Sequence, residues 1–361
     1  MNAIPLIEDD DTEAKGAGPA PRLPAIEGLS SPGLDDALLP RFRSTLVPDR
    51  ALGRIEALAL QLARIQHPEP KPHHEVRLEQ PQMVIFAGDH GIADEGVSRF
   101  PQETTRQRVL QILRGKAPVN AMCVLNRFEL TVVDAGVATP LLEKHQSSSA
   151  VPLLERKIGY GTRNILLSPA MSSTQALSAL HAGMDVVRHL PGNALALGDV
   201  GVGSTSIAAL LLSRLCGVPL ADACGKGSSL DDAHQAKKLE KLFNAAARHR
   251  KAVSPMAVLA AMGGFEIAMM AGAMLQAASE RRVVLVDGFV GGAAALVARA
   301  LVPEVMDYLV FAQRSSEVGH RLMLIHLQSQ PLLDMELRMG QGMGALLAWP
   351  LIQAAECLIN D

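Results

Sequence analysis

Apolar residues recur at intervals of three and four between Leu34 and Gln66, a spacing that predicts an amphipathic helical arm. Beyond residue 82 the pattern changes, and short apolar runs alternate with longer segments of helical character. Strands that alternate with helices favour an α/β fold, in which helices cover both faces of a parallel sheet. The predicted strands are 83–87, 130–133, 194–197, 283–286 and 308–311, and the predicted helices are 104–113, 172–190, 238–249, 255–278 and an Ala-rich segment after 289.

The segments before the first strand lie outside this alternation. Residues 1–33 are acidic and then rich in Pro, Gly and Ser, a composition that predicts a disordered tail. Residues 34–80 contain the helical arm and end in a loop with several prolines. The paired His73 and His74 in this loop have no further ligands at metal-binding spacing, so a solvated loop is favoured over a metal site.

Composition and charge narrow the possible functions. The chain has 361 residues, enough for one large α/β domain with an accessory piece, and a formal net charge of −3. It has no basic block interleaved with aromatic residues, so nucleic acid is not expected as a partner. Its four cysteines form no Cys-x-x-Cys pair, which favours a reducing cytoplasm over disulfides or zinc. The first residues also lack a signal-peptide pattern.

The longest apolar run, 255–278, is the segment that most resembles a membrane span. It is interrupted by Gly263, Gly264 and Glu266, whereas a transmembrane helix needs about 20 predominantly apolar residues in succession. A buried helix is therefore expected here, and no membrane is expected as a partner.

The stretch 194–208 carries the strongest local signal for ligand binding. A short apolar strand passes through three glycines, among them Gly201 and Gly203, into a helix rich in Ala and Leu. Glycine permits positive φ and a close backbone approach to a ligand, and the N–H groups of the first helical turn point into the junction. The hydroxyls of Ser204 and Thr205 are further donors. The spacing is neither G-x-G-x-x-G nor a P-loop. The junction suits a phosphate or carboxylate, although the same pattern also occurs as a tight connection without a ligand.

Polar residues stand at the ends of the predicted strands. Asp89, Asp134, Asp199 and Asp287 each follow a strand close to a glycine, and a polar cluster at 313–317 follows the last one. An Asp in such a position commonly caps the next helix, so each alone favours a structural role. Five in one chain favour a shared site, because ligands of open α/β sheets bind beyond the carboxyl ends of the strands.

Ten short motifs that occur in one order along residues 34–356 resemble those of the nicotinate-nucleotide:dimethylbenzimidazole phosphoribosyltransferase family. They are FAGDHGI at 86–92, GVS at 96–98 with PQE at 101–103, GYGTRN at 159–164, PAMS at 169–172, GDVGVGST at 198–205, LDD at 230–232 with Lys238, GGFE at 263–266, DGF at 287–289, RS at 314–315 with GH at 319–320, and RMGQGMGA at 338–345.

The resemblance implies a homodimeric α/β enzyme with a Rossmann-like parallel sheet and a small helical domain built from both chain ends. The α/β phosphoribosyltransferase domain would span 81–330, and 331–361 would form a C-terminal helical segment that carries part of the base site. Such enzymes transfer phosphoribose from nicotinate mononucleotide to 5,6-dimethylbenzimidazole or a related base, and release nicotinate, in the synthesis of the cobalamin lower ligand. They use no metal and no cofactor, so none is expected.

The resemblance also implies roles for the residues at matching positions. The glycine turn would bind the nucleotide phosphate through its N–H groups and the helix dipole. The residues expected at the phosphate and ribose are Gly201, Gly203, Ser204, Thr205, Lys238 and Ser315. Those expected at the base are Asp89, His90, Ser98, Phe100, Gln107, Met339 and Gly340, with Asp89 and His90 on the floor of the cleft. The catalytic residues would be Gln341 and Asp199.

The sequence departs from the family pattern at a position that bears on the chemistry. The family has Glu in its motif R-L-G-E-G-T-G-A, where this chain has Gln341; it also has a longer Glu in place of Asp199 and His in place of Gln313. A Glu carboxylate can take the proton of the attacking base, whereas a Gln amide only accepts a hydrogen bond. General-base assistance is commonly worth ~10²–10⁴ in rate, so the replacement is expected to affect catalysis.

Three hypotheses remain open at this point. The enzyme works with Asp199 or water as the proton acceptor, or it uses a different base that needs less assistance. Alternatively, it is catalytically impaired, and binds nucleotide or base or serves as one subunit of a mixed dimer. A sugar or nucleotide dehydrogenase on a similar sheet is disfavoured, because the chain has no G-x-G-x-x-G motif.

Overall fold

The computed structural model describes residues 21–30, 32–42, 51–68, 75–141, 149–225 and 231–360. Residues 1–20 of the predicted tail lie outside the described residues, as do His73 and His74, and the predictions made for them stay predictions.

The centre of the structure is one sheet of six parallel strands. The strands are β1 (Gln82–Gly88), β2 (Glu129–Gly136), β3 (Leu153–Glu155), β4 (Ala194–Val200), β5 (Val283–Asp287) and β6 (Leu309–Gln313). Their order across the sheet is β3-β2-β1-β4-β5-β6, which is the order of the Rossmann fold. The predicted Rossmann-like parallel sheet is therefore confirmed.

Helices cover the sheet on both sides. Every residue of β1, β5 and β6 is buried, and successive side chains of a strand point to opposite faces, so neither face is open to solvent. The α-helices of the described residues are α1 (Pro32–Leu38), α2 (Arg54–Gln66), α3 (Glu103–Leu113), α4 (Pro118–Asn126), α5 (Ser173–Arg188), α6 (Ser204–Cys216), α7 (Leu220–Ala223), α8 (Asp232–Arg248), α9 (Pro255–Met262), α10 (Phe265–Ser279), α11 (Gly288–Leu301), α12 (Val318–His326) and α13 (Met343–Asn360).

The sequence pattern missed the edge strand β3. This strand has three residues, none of them fully buried, and it pairs only with β2 among the described strands. An edge strand that packs on little else needs no apolar run, so periodicity provides no signal for it. The five predicted strands all form, and their register places Ala87 of β1 opposite both Asp134 of β2 and Val200 of β4. The carboxyl ends of the three strands are therefore level.

The apolar run 255–278 is buried, as expected, but it forms two core helices, α9 and α10, where one helix was predicted. Its break lies at Gly263 and Gly264, where the backbone becomes extended. Helices α5 and α10 then cross in close contact: a Cβ on Gly183 would lie 1.9 Å from the carbonyl oxygen of Met269. Only a glycine permits this approach, which brings α10 down onto the sheet.

The two ends of the chain pack together. Helix α2 lies against α13. The Asn360 side chain accepts a hydrogen bond from the N–H of Val76 over 2.9 Å and donates one to its carbonyl over 2.8 Å. The division of the chain at residues 33, 80 and 330 stays a prediction.

Residues 21–30 belong to the segment predicted to be disordered, yet they have defined contacts. The N–H of Leu29 donates to the Asp307 carboxylate over 2.8 Å, and the Tyr308 hydroxyl donates to the carbonyl of Glu27 over 2.8 Å. Leu29 is itself buried. The disorder predicted for residues 1–33 does not extend through this part.

Helix α13 meets the length and hydropathy of a membrane span, with a mean hydropathy of 1.2 over its 18 residues. Within the structure 44% of these residues are buried, and Trp349 packs edge-on against Phe128 with ring centroids 4.8 Å apart. The buried face, which includes Leu346, Trp349 and Ile352, belongs to the hydrophobic core.

Candidate active site

The predicted strand–turn–helix junction forms between β4 and α6. Gly203 has φ of 94°, and a Cβ on Gly201 would lie 2.5 Å from the carbonyl oxygen of Gly88, so both positions require glycine. The Ser204 hydroxyl is within hydrogen-bond distance of the Gly201 carbonyl (3.0 Å) and the Asp199 carboxylate (3.3 Å). Thr205 is half-buried in the first turn. The N–H of Ser206 donates to the carbonyl of Gly203 over 2.9 Å, and that of Ser204 lies 3.5 Å from the carbonyl oxygen of Gly201. The start of a helix otherwise presents N–H groups without intrahelical partners, which makes the junction an anion-binding position.

The junction lies at the switch point of the sheet. Strands β1 and β4 are neighbours, and from them the chain proceeds to opposite edges. In sheets of this order a crevice opens at the carboxyl ends of these two strands, where ligands bind. Asp89 and His90 follow β1 directly, and the His90 ring lies against Gly201 and Gly203 of the glycine turn. Their place on the floor of a cleft stays a prediction.

His90 forms a buried ion pair with Glu266 of α10. The distance from Nε2 to the Glu266 carboxylate is 2.8 Å, and neither side chain is exposed to any extent. Burial disfavours the imidazolium, but the adjacent Glu266 carboxylate outweighs it and raises the pKa of His90. In the sequence, Glu266 interrupts an otherwise apolar run and belongs to the motif GGFE, but no role in the site was predicted for it.

Asp89 is held by backbone and hydroxyl donors. Its carboxylate accepts the N–H of Ala138 over 2.8 Å and a hydrogen bond from Thr105, and burial raises its pKa. Thr105 also accepts the N–H of Val202 in the glycine turn over 3.0 Å. Thr105 thus connects the floor of the cleft with the turn.

Two further carboxylates at strand ends have an unusual affinity for protons. Burial raises the pKa of Asp199 to about 7, and the charges of Glu266 and Asp287 act in the same direction. Burial likewise raises the pKa of Asp287 to about 6. Asp199 is only partly buried and so retains access to solvent. A carboxylate of this kind exchanges its proton near neutral pH.

Asp287 anchors the segment that carries Gln341. Its carboxylate accepts the N–H groups of Gly342 and Gly344, and the Gln313 amide donates to it over 3.1 Å. Gly344 is required here, because a Cβ would lie 2.3 Å from the Asp287 carboxylate. Asp287 thereby fixes the end of the glycine-rich segment at β5.

Gln341 lies against the end of β4. Its backbone is left-handed with φ of 66°, and its N–H donates to the carbonyl of Asp199 over 3.3 Å. Gly198 allows this contact, since a Cβ there would lie 2.6 Å from the Gln341 carbonyl carbon. The side-chain oxygen Oε1 of Gln341 is shielded from solvent and has no hydrogen-bond donor among the described residues.

Of the two residues before Gln341, Gly340 borders the Asp199 carboxylate. Gly340 lies beside Asp199, with 3.6 Å between its virtual Cβ and Oδ1. Met339 is exposed.

Lys238 is buried, in contrast to an ordinary helix lysine. Only 3% of it is exposed, and within the described residues its ammonium donates a long hydrogen bond of 3.5 Å to the carbonyl of Gly225 and interacts with the Cys224 thiol. Burial raises the pKa of the neighbouring Glu317, although the charges of Lys238 and Arg338 oppose this. The adjoining residues 226–230 are outside the described part of the chain. Among the described residues, these contacts leave part of the donor capacity of the ammonium open to an anionic ligand.

Ser315 is oriented by a neutral histidine. Its N–H donates to Nδ1 of His320 over 2.9 Å, and its hydroxyl lies 3.0 Å from the same nitrogen. Burial lowers the pKa of His320 to about 4, and the charge of Arg314 lowers it further. Nδ1 therefore remains an acceptor at neutral pH. The motif Gly319-His320 was noted in the sequence without a role.

The residues predicted for the base lie partly on α3 and on the loop before it. The Ser98 hydroxyl accepts the N–H of Phe100 over 3.1 Å. The guanidinium groups of Arg99 and Arg108 lie 4.5 and 4.9 Å from the Phe100 ring centre. Gln107 is exposed. No contact among the described residues joins these side chains to Gln341, so their place in a base pocket stays a prediction.

Asp134 is the strand-end carboxylate that serves the fold. It pairs with Lys157 over 2.8 Å and accepts the N–H of Val137 over 2.9 Å. Its charge is therefore already neutralised within the protein.

A separate groove of about 860 Å³, lined by residues such as Lys116, Phe128 and Pro152, lies at the amino ends of β2 and β3, away from the switch point. Among the described residues, no group of three or more His, Cys, Asp or Glu side chains is arranged to hold a metal ion.

The strand order and the glycine turn at the switch point place the protein in the class of Rossmann-type α/β proteins. Comparison with known proteins gives the family. The family model described as "Phosphoribosyltransferase" matches residues 30–361. The nicotinate-nucleotide–dimethylbenzimidazole phosphoribosyltransferase of Cupriavidus taiwanensis is 46% identical over 337 residues, which cover 91% of this chain and 94% of that protein. The enzyme of the same name from Aromatoleum aromaticum is 45% identical over 336 residues, 92% of this chain and 94% of that protein.

A solved structure agrees with these matches. The crystal structure of the nicotinate-nucleotide–dimethylbenzimidazole phosphoribosyltransferase from Thermus thermophilus superposes with a TM-score of 0.82 at 36% identity, and the match covers 91% of this chain and 96% of that one. The chain therefore belongs to the nicotinate-nucleotide–dimethylbenzimidazole phosphoribosyltransferase family. The resemblance inferred from the ten sequence motifs is confirmed.

Proposed function

We propose that this protein transfers phosphoribose from nicotinate mononucleotide to 5,6-dimethylbenzimidazole or a related lower-ligand base in cobalamin biosynthesis, and produces α-ribazole 5′-phosphate and nicotinate. Family membership and the names of the relatives support the reaction. The carboxylates and glycine turn at the carboxyl ends of β1, β4 and β5 support the location of the site.

The nucleotide is held by its phosphate and ribose. The N–H groups at Gly203, Ser204 and Thr205, together with the dipole of α6, attract the phosphate. The buried ammonium of Lys238 adds a charge-assisted hydrogen bond. Nδ1 of His320 already accepts the Ser315 N–H, so the Ser315 hydroxyl, 3.0 Å from the same nitrogen, can turn its proton toward the ribose or phosphate.

The reaction breaks the bond between C1′ of the ribose and the nicotinate nitrogen, and the bonding electrons leave with nicotinate. Positive charge that develops on the ribose is stabilised by the nearby carboxylates. One ring nitrogen of the base attacks C1′, and the proton on its other nitrogen must then be accepted. Gln341 cannot take this proton; we assign that step to Asp199.

The observation that carries this assignment is the contact between Asp199 and the segment around Gln341. The backbones of the two residues are hydrogen-bonded, and the Asp199 carboxylate has a pKa of about 7. A general base is most effective when its pKa lies near the working pH. Gln341 then orients the base, and Asp199 receives its proton.

The direct experiment incubates the purified protein with nicotinate mononucleotide and a panel of benzimidazoles, purines and phenols, and measures released nicotinate. We expect release that depends on the added base. Absence of release with every acceptor would exclude the proposed transferase activity. The panel also identifies the preferred base. If Asp199 contributes little, an acceptor that needs no deprotonation should release nicotinate faster than one that must lose a proton.

One observation favours a second function, a homologue that binds nucleotide and base with little turnover. The amide at position 341 removes the carboxylate that the family motif carries. Calorimetry would then show binding of nicotinate mononucleotide without nicotinate release. Such a protein could also serve as one subunit of a mixed dimer.

We further propose that the protein is a cytoplasmic homodimer. Val124 and Leu125 on α4 are 80% and 72% exposed, which fits an apolar surface that a second subunit covers. All four cysteines are free, as in a reducing compartment. Sedimentation analysis of the purified protein, and of a variant with Val124→Lys, tests the dimer.

A further inference from the structure

Glu266 is a buried charge for which the proposed reaction has no use. It is the only ionisable side chain of α10 before Glu280, and every residue from Phe265 to Ala278 is buried around it. Carrying a charged pair into the interior costs desolvation energy that the pairing often fails to recover. Hydrophobic residues at both positions would serve the core as well, so packing alone does not account for the pair.

The surroundings of the pair are built to accommodate it. A Cβ on Gly88 would lie 2.7 Å from the Glu266 carboxylate. A Cβ on Gly264 would lie 2.6 Å from the same carboxylate and 2.5 Å from the His90 ring. Glycine at these two positions lets the carboxylate and the imidazole approach one another at the end of β1.

The Nε2–Cδ2 edge of the His90 ring and its Cβ also lie against the glycine turn. A Cβ on Gly201 would lie 3.3 Å from Nε2, and a Cβ on Gly203 would lie 3.6 Å from Cβ of His90. The imidazole is thus packed between the start of α10 and the turn. The position of the His90 ring therefore limits how closely the backbone of the turn approaches the sheet.

We propose that Glu266 is a positioning residue, which acts through His90 to hold the Gly201–Gly203 turn at the height where its N–H groups bind the nucleotide phosphate. This inference rests on the proposed function for its ligand. The chain of contact runs from the Glu266 carboxylate to His90 Nε2, and from the imidazole to the two glycines of the turn. Glu266 itself does not touch the substrate.

The charge of the Glu266 carboxylate also affects the pKa of Asp199, the proposed proton acceptor. The groups that face Asp199 are Glu266 of α10, Asp287 of β5, His90 after β1 and the Ser204 hydroxyl of α6. Glu266 and Asp287 favour the protonated form of Asp199, whereas Ser204 and His90 oppose it, with His90 the weaker influence. Removal of the Glu266 charge therefore lowers the pKa of Asp199, even though His90 loses its counter-charge as well.

The test compares Glu266→Gln, Glu266→Asp and Glu280→Gln in the nicotinate-release assay. Glu280 terminates the same helix and bonds Gln276 and Arg282, so Glu280→Gln is the matched control. We expect Glu266→Gln to raise KM for nicotinate mononucleotide about tenfold or more, the effect of losing a hydrogen bond to a charged group, with little change in KM for the base. Its acidic limb in the pH profile of kcat/KM moves to lower pH.

Glu266→Asp separates position from charge. The shorter side chain keeps the carboxylate but withdraws it from His90, so KM for the nucleotide rises while the acidic limb stays in place. If Glu266→Gln does not fold, this variant alone decides. The proposal would be overturned if the Glu266 variants that fold had the same KM for the nucleotide and the same acidic limb as Glu280→Gln.

A last measurement separates this inference from the proposed function. If the unmodified protein neither releases nicotinate nor binds nicotinate mononucleotide in calorimetry, the proposed function fails. Hydrogen exchange of the amides at 201–205 still reports the turn. We expect faster exchange in Glu266→Gln than in Glu280→Gln, and equal exchange would show that Glu266 does not hold the turn.

Discussion

The backbone N–H of Gln341 donates a hydrogen bond to the carbonyl oxygen of Asp199. This contact joins the end of β4 to the glycine-rich segment before α13, and Asp287 fixes that segment from the other side. An amide that can orient a base and a carboxylate that can accept its proton thus belong to one rigid unit. Variants of these residues separate the role of the Gln341 amide from that of the Asp199 carboxylate, and further variants test the contacts that hold the site.

Restoring the family carboxylate should accelerate the reaction. Because Glu at position 341 can take the proton directly, we expect Gln341→Glu to raise kcat by up to ~10², within the range of general-base effects. Gln353→Glu, an exposed position on α13, is the matched control and should leave kcat unchanged. An unchanged or lower rate in Gln341→Glu would show that the amide is not what limits turnover.

The pH profile should report Asp199. With a pKa of about 7, the carboxylate is ionised above neutrality and protonated below it, so kcat/KM should rise with pH through about 7. Asp199→Asn removes the acceptor and should lower kcat by ~10² or more, with this ionisation absent from the profile. If Asp199→Asn keeps the rise of kcat/KM through about pH 7, the ionisation belongs to another group.

The same carboxyl group should reduce stability at high pH. Its folded pKa of about 7 exceeds the ordinary value of 3.8, so the folded protein binds more protons than the unfolded chain between these values. The free energy of unfolding therefore falls as pH rises from about 4 to 7.

Asp199→Asn should accordingly be more stable than wild type at pH 8, by about 1–2 kcal/mol after allowance for the solvent that reaches Asp199. The gain should vanish below about pH 3, where the carboxyl is protonated in both states because the pH lies below the ordinary value of 3.8. Urea denaturation at the two pH values measures it. An equal difference at both would indicate a change in packing rather than in protonation.

Lys238 should matter for nucleotide binding. Lys238→Met keeps the length of the stem and removes a buried ammonium, and we expect KM for nicotinate mononucleotide to rise about 10–100-fold, the value of a charge-assisted hydrogen bond. Lys237→Met, on the exposed side of α8, is the control. Similar KM values in the two variants would place the phosphate elsewhere.

The crossing of α5 and α10 should tolerate no side chain at Gly183. A Cβ would lie 1.9 Å from the carbonyl oxygen of Met269, so Gly183→Ala must separate the helices at a cost of about 2–3 kcal/mol. Gly291 also lies within a helix, but its Cβ would meet its nearest neighbour, a Val286 methyl, at 3.4 Å. Gly291→Ala should be neutral or slightly stabilising in the same thermal unfolding assay, because alanine favours the helix.

Much of the fold and part of the site follow from local patterns. The apolar runs predict five of the six strands, and the glycines between 198 and 203 predict the turn before α6. Both signals are local, because strand formation and positive φ depend mainly on residues that are close in the sequence. The same patterns carry the family resemblance, which includes Lys238, Ser315 and Gln341. The edge strand β3 escaped prediction because its side chains are not buried on both faces.

The tertiary structure decided which polar residues act together. Asp134 and Asp199 look alike in the sequence, yet Asp134 is neutralised by Lys157, whereas Asp199 faces two other carboxylates. Proton affinity depends on desolvation and on charges from distant segments, and no local pattern contains these. For the same reason Glu266 could be seen as an isolated charge in an apolar run, while its pairing with His90 beneath the glycine turn required the packing of α10 against β1.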